Sequence, residues 1–298
     1  MKAKKPLNFQ QIALVGRSKL GTHTEFLQEL KTFLEAKGSN VSWDSNLSAV
    51  YGTEKEQSIC EMLKKADLVI TLGGDGTVLK AAHDWPKRKD LLLLGVNLGN
   101  LGFLTESTTE RMQETLEELF ADNFHSDERL LLRATLYRQG KKIATHLALN
   151  DIVVNQGNFA RLINLRAEVN QRKMIEFHAD GVIVATPTGS TGHSLSAGGP
   201  IVHPQIDTMV FTPICPSTLS VRPILLPSDR HITLTIQTDR RFADNRIGLT
   251  IDGQIVLPVE YGDEIRIRRS SRKLRFVRLK PPGGNHFRLL REKLSWGK

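Results

Sequence analysis

Short, fully apolar segments alternate with helical patterns over residues 10–120. The run 68–70 and the run 91–96 are two such segments. Earlier in the chain, apolar side chains recur at helical spacing, as in Phe26, Leu27, Leu30, Phe33 and Leu34. A strand that is apolar at every position is buried on both faces. The alternation therefore predicts a parallel sheet with helices on both sides.

The predicted strands of this first half are 12–15, 41–43, 67–72 and 91–96. The predicted helices are 26–34, 54–65, 77–84 and 108–120. From about residue 129 the pattern changes to short strands separated by turns such as Gln139-Gly140 and Asp252-Gly253, which is typical of a β-sandwich. The predicted strands there are 130–138, 142–149, 152–154, 162–169, 174–177, 182–185, 232–237, 247–251 and 264–268.

We therefore expect an α/β domain over residues 1–128 and a β-sandwich domain over 129–280. The tail 281–298 is apolar enough to pack back onto the first domain. The most apolar longer segment, 91–104, is interrupted by glycines and asparagines, so it is too polar to span a bilayer. The two cysteines, Cys60 and Cys215, have no CxxC spacing, which fits a reducing compartment. These features predict a cytoplasmic protein that does not enter the membrane.

The chain carries a formal net charge of +9, and residues 266–280 hold eight basic side chains and no acidic one. The simplest interpretation is the solvated face of late strands. Steering of polyanionic nucleotides toward the protein is the alternative. Binding to nucleic acid is disfavoured, because aromatic residues make up only 6% of the chain and no groove-reading motif is present.

A glycine-rich loop, Gly73-Gly74-Asp75-Gly76-Thr77, follows the apolar strand 67–72 directly. Glycines let a phosphate approach the backbone N–H groups closely, and the helix that follows would point its positive end at the same place. Asp75 would repel phosphate unless it holds a metal ion, binds a sugar hydroxyl or takes a proton from an attacking hydroxyl. This loop therefore predicts phosphoryl transfer.

Two other phosphate-binding motifs are excluded. Residues 16–21 have the glycine spacing of a Walker A loop, but Thr22-His23 stand where Lys and Ser or Thr are required. Gly74 and Gly76 begin a dinucleotide-binding GxGxxG, but Leu79 stands at the third glycine. The Asp75 loop therefore belongs to neither class.

A second loop, 185–200, is rich in hydroxyls and glycines and follows the apolar strand 182–185. Such a loop suits phosphate and ribose oxygens. Asn150-Asp151 and Asp180-Gly181 each place a carboxylate at the edge of a strand, where it could accept hydrogen bonds from adenine or ribose. The glycines of 97–104 permit close approach of a ligand or serve as simple turns.

Together these segments, in this order, resemble the NAD kinases of bacteria over nearly the full length of the chain. The GGDG element alone is also found in diacylglycerol kinases, sphingolipid kinases and phosphofructokinases, whereas the long loop that ends in Ser194-Leu195-Ser196-Ala197-Gly198-Gly199-Pro200 is specific. The resemblance implies a Rossmann-like domain, a β-sandwich domain that binds NAD, and a homo-oligomer. It implies phosphorylation of the adenosine-ribose 2′-hydroxyl of NAD by ATP with a divalent metal ion, for which Mg²⁺ carried by ATP is expected, since no side-chain cage for a metal is evident.

By the same resemblance, Asp75 would be the general base, and the loop around it would cradle phosphates through Gly73, Gly74, Gly76 and Thr77. Further NAD contacts are expected at Asp75, Gly76, Asn150, Asp151, Arg161, His178, Asp180, Thr191, Gly192, His193, Ser194, Leu195, Ser196 and Gln254. The sequence departs from the family at one point, since Gly192-His193 replace the usual Ala-Tyr. An imidazole titrates near neutral pH, so NAD affinity or its pH dependence should differ there.

Two alternatives stay open from the residues alone. A lipid kinase of the diacylglycerol type would share the GGDG loop and could use the basic segment 266–280 against an anionic membrane. A non-catalytic sensor could bind NAD or NADP and signal to a partner. An intact Asp75 argues against the sensor, and the hydroxyl-rich loop argues against an acyl chain.

Overall fold

The computed structural model describes residues 9–17, 23–99, 102–156, 162–237, 247–280 and 286–297. The chain divides into two compact units. Unit 1 comprises Met1–Glu128 and Leu274–Lys298, and unit 2 comprises Arg129–Lys273. Among the described residues, no helix combines the length and the apolar character needed to cross a membrane.

The helices are α1 (Thr24–Ala36), α2 (Ser48–Tyr51), α3 (Ile59–Lys65), α4 (Asp75–His83), α5 (Met112–Phe120), α6 (His193–Ser196) and α7 (His286–Leu294). The strands of unit 1 are β1 (Gln11–Gly16), β2 (Asn40–Trp43), β3 (Leu68–Leu72), β4 (Leu92–Asn97) and β5 (Ser107–Thr108). The remaining strands are β6 (Phe124–Arg138), β7 (Lys141–Ala148), β8 (Asp151–Asn155), β9 (Ile163–Val169), β10 (Arg172–Ala179), β11 (Gly181–Ala185), β12 (Thr208–Ile214), β13 (Ile224–Pro227), β14 (Ile232–Ile236), β15 (Ile247–Ile251), β16 (Ile255–Val259) and β17 (Glu264–Leu279).

Unit 1 is built on a parallel sheet in the order β2-β1-β3-β4, with β5 parallel to β4. All five residues of β3 and all six of β4 are buried. This confirms that the continuous apolar runs are strands covered on both faces. The C-terminal tail belongs to the same unit and buries Leu289 and Leu290 of α7. Ligands of open parallel sheets bind beyond the carboxyl ends of the strands, which is where Gly73–Thr77 and Asn97–Gly99 lie.

Unit 2 is a β-sandwich, as predicted. One sheet has the order β10-β9-β14-β17, continued by β6 and β7, and the other has the order β13-β12-β11-β8-β15-β16. The pairs β9–β10, β9–β14, β14–β17 and β6–β7 of the first sheet and all neighbouring pairs of the second sheet are antiparallel. A single apolar cluster contains side chains from both sheets, such as Leu165 and Leu234 from one and Val154 and Val184 from the other. The sandwich is therefore held by burial of the two inner faces.

Several boundaries differ from the predictions. The helix predicted over 54–65 begins only at Ile59, because Ser58 caps it and accepts a hydrogen bond from the N–H of Glu61. Strand β17 continues eleven residues beyond the predicted end at 268, through its polar stretch to Leu279. Four strands were missed: the two-residue β5, and β12, β13 and β16, each of which contains a proline. Two of them, β13 and β16, are the edge strands of their sheet, where proline is tolerated.

Candidate functional site

Asp75 is the first residue of α4 and follows the buried strand β3 through Gly73-Gly74. Its side chain is half-buried, and its two carboxylate oxygens accept hydrogen bonds from the backbone of the segment after β4. Oδ2 accepts from the N–H of Phe103 at 3.0 Å, and Oδ1 accepts from the N–H of Leu104 at 3.1 Å. Two backbone N–H groups therefore fix the direction of the Asp75 carboxylate, and the positions of these donors do not depend on a side-chain rotamer.

Two glycines of these segments, Gly73 and Gly102, are required by close approach. A Cβ atom on Gly102 would lie 2.0 Å from Oδ1 of Asp75, and one on Gly73 would lie 2.3 Å from Oγ1 of Thr77. Gly73 also has a φ of +155°. Asn97 adds a further constraint, because its Oδ1 accepts from the N–H of Gly99 at 2.9 Å. The predicted glycine-rich phosphate cradle is thus a closely packed turn around one carboxylate.

An ion pair supports the neighbouring turn of unit 1. Lys80, on α4, places Nζ 2.7 Å from Oδ2 of the buried Asp44. The other oxygen of Asp44 accepts from the N–H of Gly16 at 3.1 Å, and the side chain of Asn46 donates to the carbonyl of Gly16 at 2.7 Å. The end of β1 is thereby tied to the helix that carries Asp75.

In unit 2, the bend between β7 and β8 carries the predicted pair Asn150 and Asp151. The carboxylate of Asp252 accepts three hydrogen bonds from this bend, from the N–H of Leu149 at 2.9 Å, of Asn150 at 2.8 Å and of Asp151 at 2.9 Å. The N–H of Asp252 donates to the carbonyl of Asp151 at 2.9 Å. Asp252 is buried, with 6% of its surface exposed. This residue therefore connects the β15–β16 turn to the bend.

Thr186 holds the same bend from the other side. Its N–H donates to the carbonyl of Asn150 at 2.8 Å, and its hydroxyl donates to the carbonyl of Leu149 at 2.5 Å. The same hydroxyl accepts from the N–H of Gly189 at 3.1 Å. A Cβ atom on Gly189 would lie 2.2 Å from the carbonyl oxygen of Asn150. The hydroxyl-rich loop is consequently packed directly on the bend.

Asp151 is buried, with 5% of its surface exposed. Burial, and then the nearby negative charge of Asp252, raise the pKa of Asp151 to about 7. Asp151 also lines a cavity of about 360 Å³ together with Asn150, Val153, Asn155, His193, Thr250, Asp252 and Gly253. A carboxyl group with a shifted pKa at the wall of a cavity is a common feature of functional sites.

The departure Gly192-His193 lies at this cavity. A Cβ atom on Gly192 would lie 4.0 Å from both Nδ2 of Asn150 and Oδ2 of Asp151, which is ordinary contact, but only 3.3 Å from the carbonyl oxygen of Gly189. An alanine there would require the backbone at Gly189 to move by a few tenths of an ångström, and glycine avoids this tight contact beside the pair. His193 is exposed at the start of α6 and lines the cavity, so its imidazole is available to a ligand.

Much of the hydroxyl-rich loop bonds to the protein itself. The hydroxyl of Ser190 donates to the carbonyls of Pro187 and Val202, and the hydroxyl of Ser194 shares a 2.8 Å hydrogen bond with that of Thr212. Both serines are fully buried. Ser194 therefore lies among the predicted NAD contacts, yet its side chain faces the interior. Thr191 and Leu195 are half-buried, and Ser196 is exposed.

The remaining predicted contacts lie at strand ends and turns of unit 2. His178 is exposed near the end of β10, and Asp180 accepts from the side chain of Gln156 at 2.6 Å through Oδ1. Gln254 is exposed in the β15–β16 turn. Arg161 lies outside the described residues. Gly76 and Thr77 follow Asp75 in α4, Gly76 being exposed and Thr77 buried.

Three residues of this site were missed by sequence reasoning: Asp252, Thr186 and Arg129. An Asp-Gly pair predicts a turn, and the structure places Asp252 and Gly253 in a turn at positive φ of 50° and 67°. The hydrogen bonds of the Asp252 carboxylate reach residues about a hundred positions away in the chain, so the local sequence does not indicate them. A third residue is Arg129, whose Nη1 lies 3.2 Å from Oγ1 of Thr188 in a buried position.

Two family models match the chain. The ATP-NAD kinase N-terminal domain matches residues 10–124, and the ATP-NAD kinase C-terminal domain matches residues 149–279. An NAD kinase from Geotalea daltonii is 43% identical over 270 residues, which cover 91% of this chain and 93% of that protein. An NAD kinase from Aeromonas salmonicida is 37% identical over 291 residues, which cover 97% of each chain.

Solved structures match as well. Yeast NADH kinase complexed with NADH superimposes with a TM-score of 0.86 at 27% identity, and the match covers 99% of this chain and 89% of that one. An NAD kinase from Archaeoglobus fulgidus in complex with ATP matches with a TM-score of 0.72 at 25% identity, covering 95% of this chain and 99% of that one. The similarity therefore extends over both units.

Proposed function

The chain belongs to the NAD kinase family, and from this premise we propose that Asp75 is its general base. The reaction of the family transfers the γ-phosphoryl group of ATP to the adenosine-ribose 2′-hydroxyl of NAD and gives NADP. The membership disfavours the lipid kinase and the sensor, which the GGDG loop alone left open. The roles that we propose for individual residues are supported by the geometry within each unit.

Asp75 supports this role by its position. It is half-buried at the start of a helix, immediately after a glycine turn, and two backbone N–H groups fix the direction of its carboxylate. A ribose hydroxyl is a poor nucleophile at neutral pH, so a carboxylate that takes its proton accelerates the attack, typically by about 10²–10⁴-fold. The N-terminus of α4 offers N–H groups to phosphate oxygens.

In the proposed step, the 2′-oxygen of NAD bonds to the γ-phosphorus while its proton moves to Asp75. The bond from the γ-phosphorus to the bridging oxygen breaks, and ADP leaves. The chain's own part in this step is to orient both substrates and to accept the proton. The exposed backbone around Gly74 and Gly76 is suited to the phosphates of the donor.

We propose that NAD binds through Asn150 and Asp151, with His193 at the wall of the same cavity. A carboxylate and an amide can accept and donate hydrogen bonds to ribose hydroxyls and to adenine. His178, Asp180 and Gln254 are further proposed contacts, all at strand ends or turns of unit 2. The structures of relatives with NADH or with ATP support these two ligand classes.

The kinases of this family use a divalent metal ion, for which we propose Mg²⁺. In the described part of the chain, no three His, Cys, Asp or Glu side chains group as ligands for a metal. Mg²⁺ commonly binds through substrate phosphates, water and only one or two carboxylates, and Asp75 is a carboxylate beside the proposed phosphate cradle. When bound, the ion would neutralise charge on the triphosphate. We also propose a cytoplasmic homo-oligomer, supported by the resemblance to bacterial NAD kinases.

The test is NADP formation from NAD, ATP and Mg²⁺ by the purified protein, measured with an NADP-specific dehydrogenase. Asp75→Asn should retain NAD binding and lose roughly 10²–10⁴-fold in kcat. Calorimetry with NAD is the control for binding. Near-parent turnover in Asp75→Asn would remove Asp75 from the role of base, whereas absence of activity in the parent would contradict the proposed function itself.

A further inference from the structure

The bend at residues 149–151 has a complete set of backbone hydrogen bonds, and two residues supply all of them. Its three N–H groups donate to the carboxylate of Asp252. Its three carbonyl groups accept from Thr186 and from the N–H of Asp252. Buried backbone groups need such partners, so the conformation that presents Asn150 and Asp151 depends on Asp252 and Thr186.

We propose that Asp252 is a positioning residue for the transfer reaction, which acts through the backbone of this bend to hold Asn150 and Asp151 for NAD. The inference rests on the proposed function, because it takes this pair to contact NAD. Thr186 holds the same bend from its carbonyl side. Neither residue needs to touch the reacting atoms.

The turn by itself does not require a buried carboxylate. Asp252 and Gly253 occupy the two central positions of a tight turn at positive φ, closed by the N–H of Gln254 on the carbonyl of Ile251 at 2.9 Å. Asparagine or glycine serves such a turn equally well, and side chains there usually face solvent. Asp252 is instead buried and directed at the bend. The carboxylate therefore serves the bend rather than the turn.

The chemistry of three converging donors also selects a carboxylate. One oxygen accepts from Leu149, and the other accepts from both Asn150 and Asp151. An ionised carboxylate is an acceptor at both oxygens, whereas an amide of the same shape presents N–H groups at one of them. Asp252→Asn would consequently leave at least one N–H of the bend facing a donor, and the bend would have to shift.

The test is the steady-state kinetics of Asp252→Asn. We expect KM for NAD to rise roughly tenfold or more, as follows from the loss of a buried hydrogen bond. KM for ATP should stay within about threefold of the parent value, because Asp252 is not proposed to contact ATP, and kcat at saturating NAD should change less than KM for NAD. A residue that only stabilises the fold would lower the active fraction and leave KM for NAD unchanged.

Asp263→Asn is the matched control. Asp263 is also a fully buried aspartate of unit 2 at a turn, where it accepts from the N–H of Glu260 at 2.9 Å and pairs with Arg138 at 2.8 Å. Its loss should lower the thermal unfolding midpoint without a change in KM for NAD. The comparison separates a general loss of stability from a loss of positioning.

Thr186 provides a second variant in case Asp252→Asn does not fold. Thr186→Val removes the hydroxyl that bonds to Leu149 and Gly189, and it should raise KM for NAD in the same way. Thr186→Ser keeps the hydroxyl and should recover most of the lost affinity. Parent-like KM for NAD in both Asp252→Asn and Thr186→Val would overturn the inference while leaving the kinase activity intact. An inactive parent would overturn both.

Discussion

Segment 73–77 of unit 1 and segment 149–151 of unit 2 each present a carboxylate, but they hold it in different ways. Asp75 is half-buried, and its own oxygens accept the two N–H groups that orient it. Asp151 is buried, and it is the backbone around it that is fixed, by the carboxylate of Asp252. One carboxylate is oriented directly, and the other is oriented through its main chain.

The difference matches the two proposed tasks. A general base must accept a proton and release it again, so it needs a fixed direction with access to the substrate. A binding residue benefits from a rigid backbone, because less conformational entropy is lost when the ligand binds. The hydroxyl-rich loop adds to this rigidity, since Thr186, Ser190 and Ser194 all bond within the protein.

The sharpest way to disturb the first region is Gly102→Ala. A Cβ atom at this position would lie 2.0 Å from Oδ1 and 2.6 Å from Cγ of Asp75, so the carboxylate would have to move. A displacement of about 1 Å in a catalytic group can cost about 10²-fold in rate. We therefore expect kcat to fall by roughly 10–100-fold with little change in KM for NAD, as measured by NADP formation.

Gly99→Ala is the control in the same segment. A Cβ atom there would meet Oδ1 of Asn97 at 3.7 Å, which is ordinary contact. Its kcat should stay within about threefold of the parent. If Gly102→Ala and Gly99→Ala had the same kcat, the direction of the Asp75 carboxylate would not matter for turnover. The proposed difference between a directly oriented carboxylate in segment 73–77 and a backbone-oriented one in segment 149–151 would then be wrong.

The fold follows from the sequence wherever local patterns decide the structure. The strands β1, β3 and β4 are largely apolar runs, and helix α1 follows its apolar spacing, so these elements were predicted. The missed strands β12, β13 and β16 contain prolines that argue against a strand. These strands are stabilised by pairing with neighbouring strands, which the local pattern does not show. An example is the pairing of Ile251 with Ile255 across the β15–β16 turn.

The site was predictable only as a set of loops. Asp75, Asn150 and Asp151 stand in recognisable segments, and the structure places Asn150 and Asp151 at one cavity with His193. Asp252 and Thr186 were not found, because their hydrogen bonds join segments that are distant in sequence. The buried orientation of Ser194 was also not predictable, since a serine in a polar loop carries no sign of its direction.

The second region can be probed through the ionisation of Asp151. Its pKa in the folded protein, about 7, lies above the ordinary value of about 3.9 for aspartate. The folded state therefore holds the proton more tightly, so stability falls as pH rises from about 4 to 7, and the loss is complete above the folded pKa. Asp151→Asn removes this penalty and should gain on the order of 2 kcal/mol relative to the parent between pH 5 and pH 8.

The measurement is the free energy of unfolding of both proteins by denaturant at pH 5 and pH 8. The pH dependence that the two proteins share cancels in the difference between parent and variant. Asp252 is present in both proteins. Only the parent has a carboxyl group at position 151, so only there does the negative charge of Asp252 disfavour ionisation of that group. An equal pH dependence of the two proteins would mean that Asp151 is solvated as freely as an exposed carboxylate, against its burial.

The smallest expected effect distinguishes two serines of the hydroxyl-rich loop, Ser194 and Ser196. Ser194→Ala leaves the buried hydroxyl of Thr212 without its 2.8 Å partner, which should cost about 1–2 kcal/mol of stability. Ser196 is exposed, so Ser196→Ala should change stability by less than about 0.5 kcal/mol. Thermal unfolding of both variants decides the matter. If Ser196→Ala were the less stable of the two, the loop would not be held by its buried hydroxyls, and the rigid character assigned to the second region would be wrong.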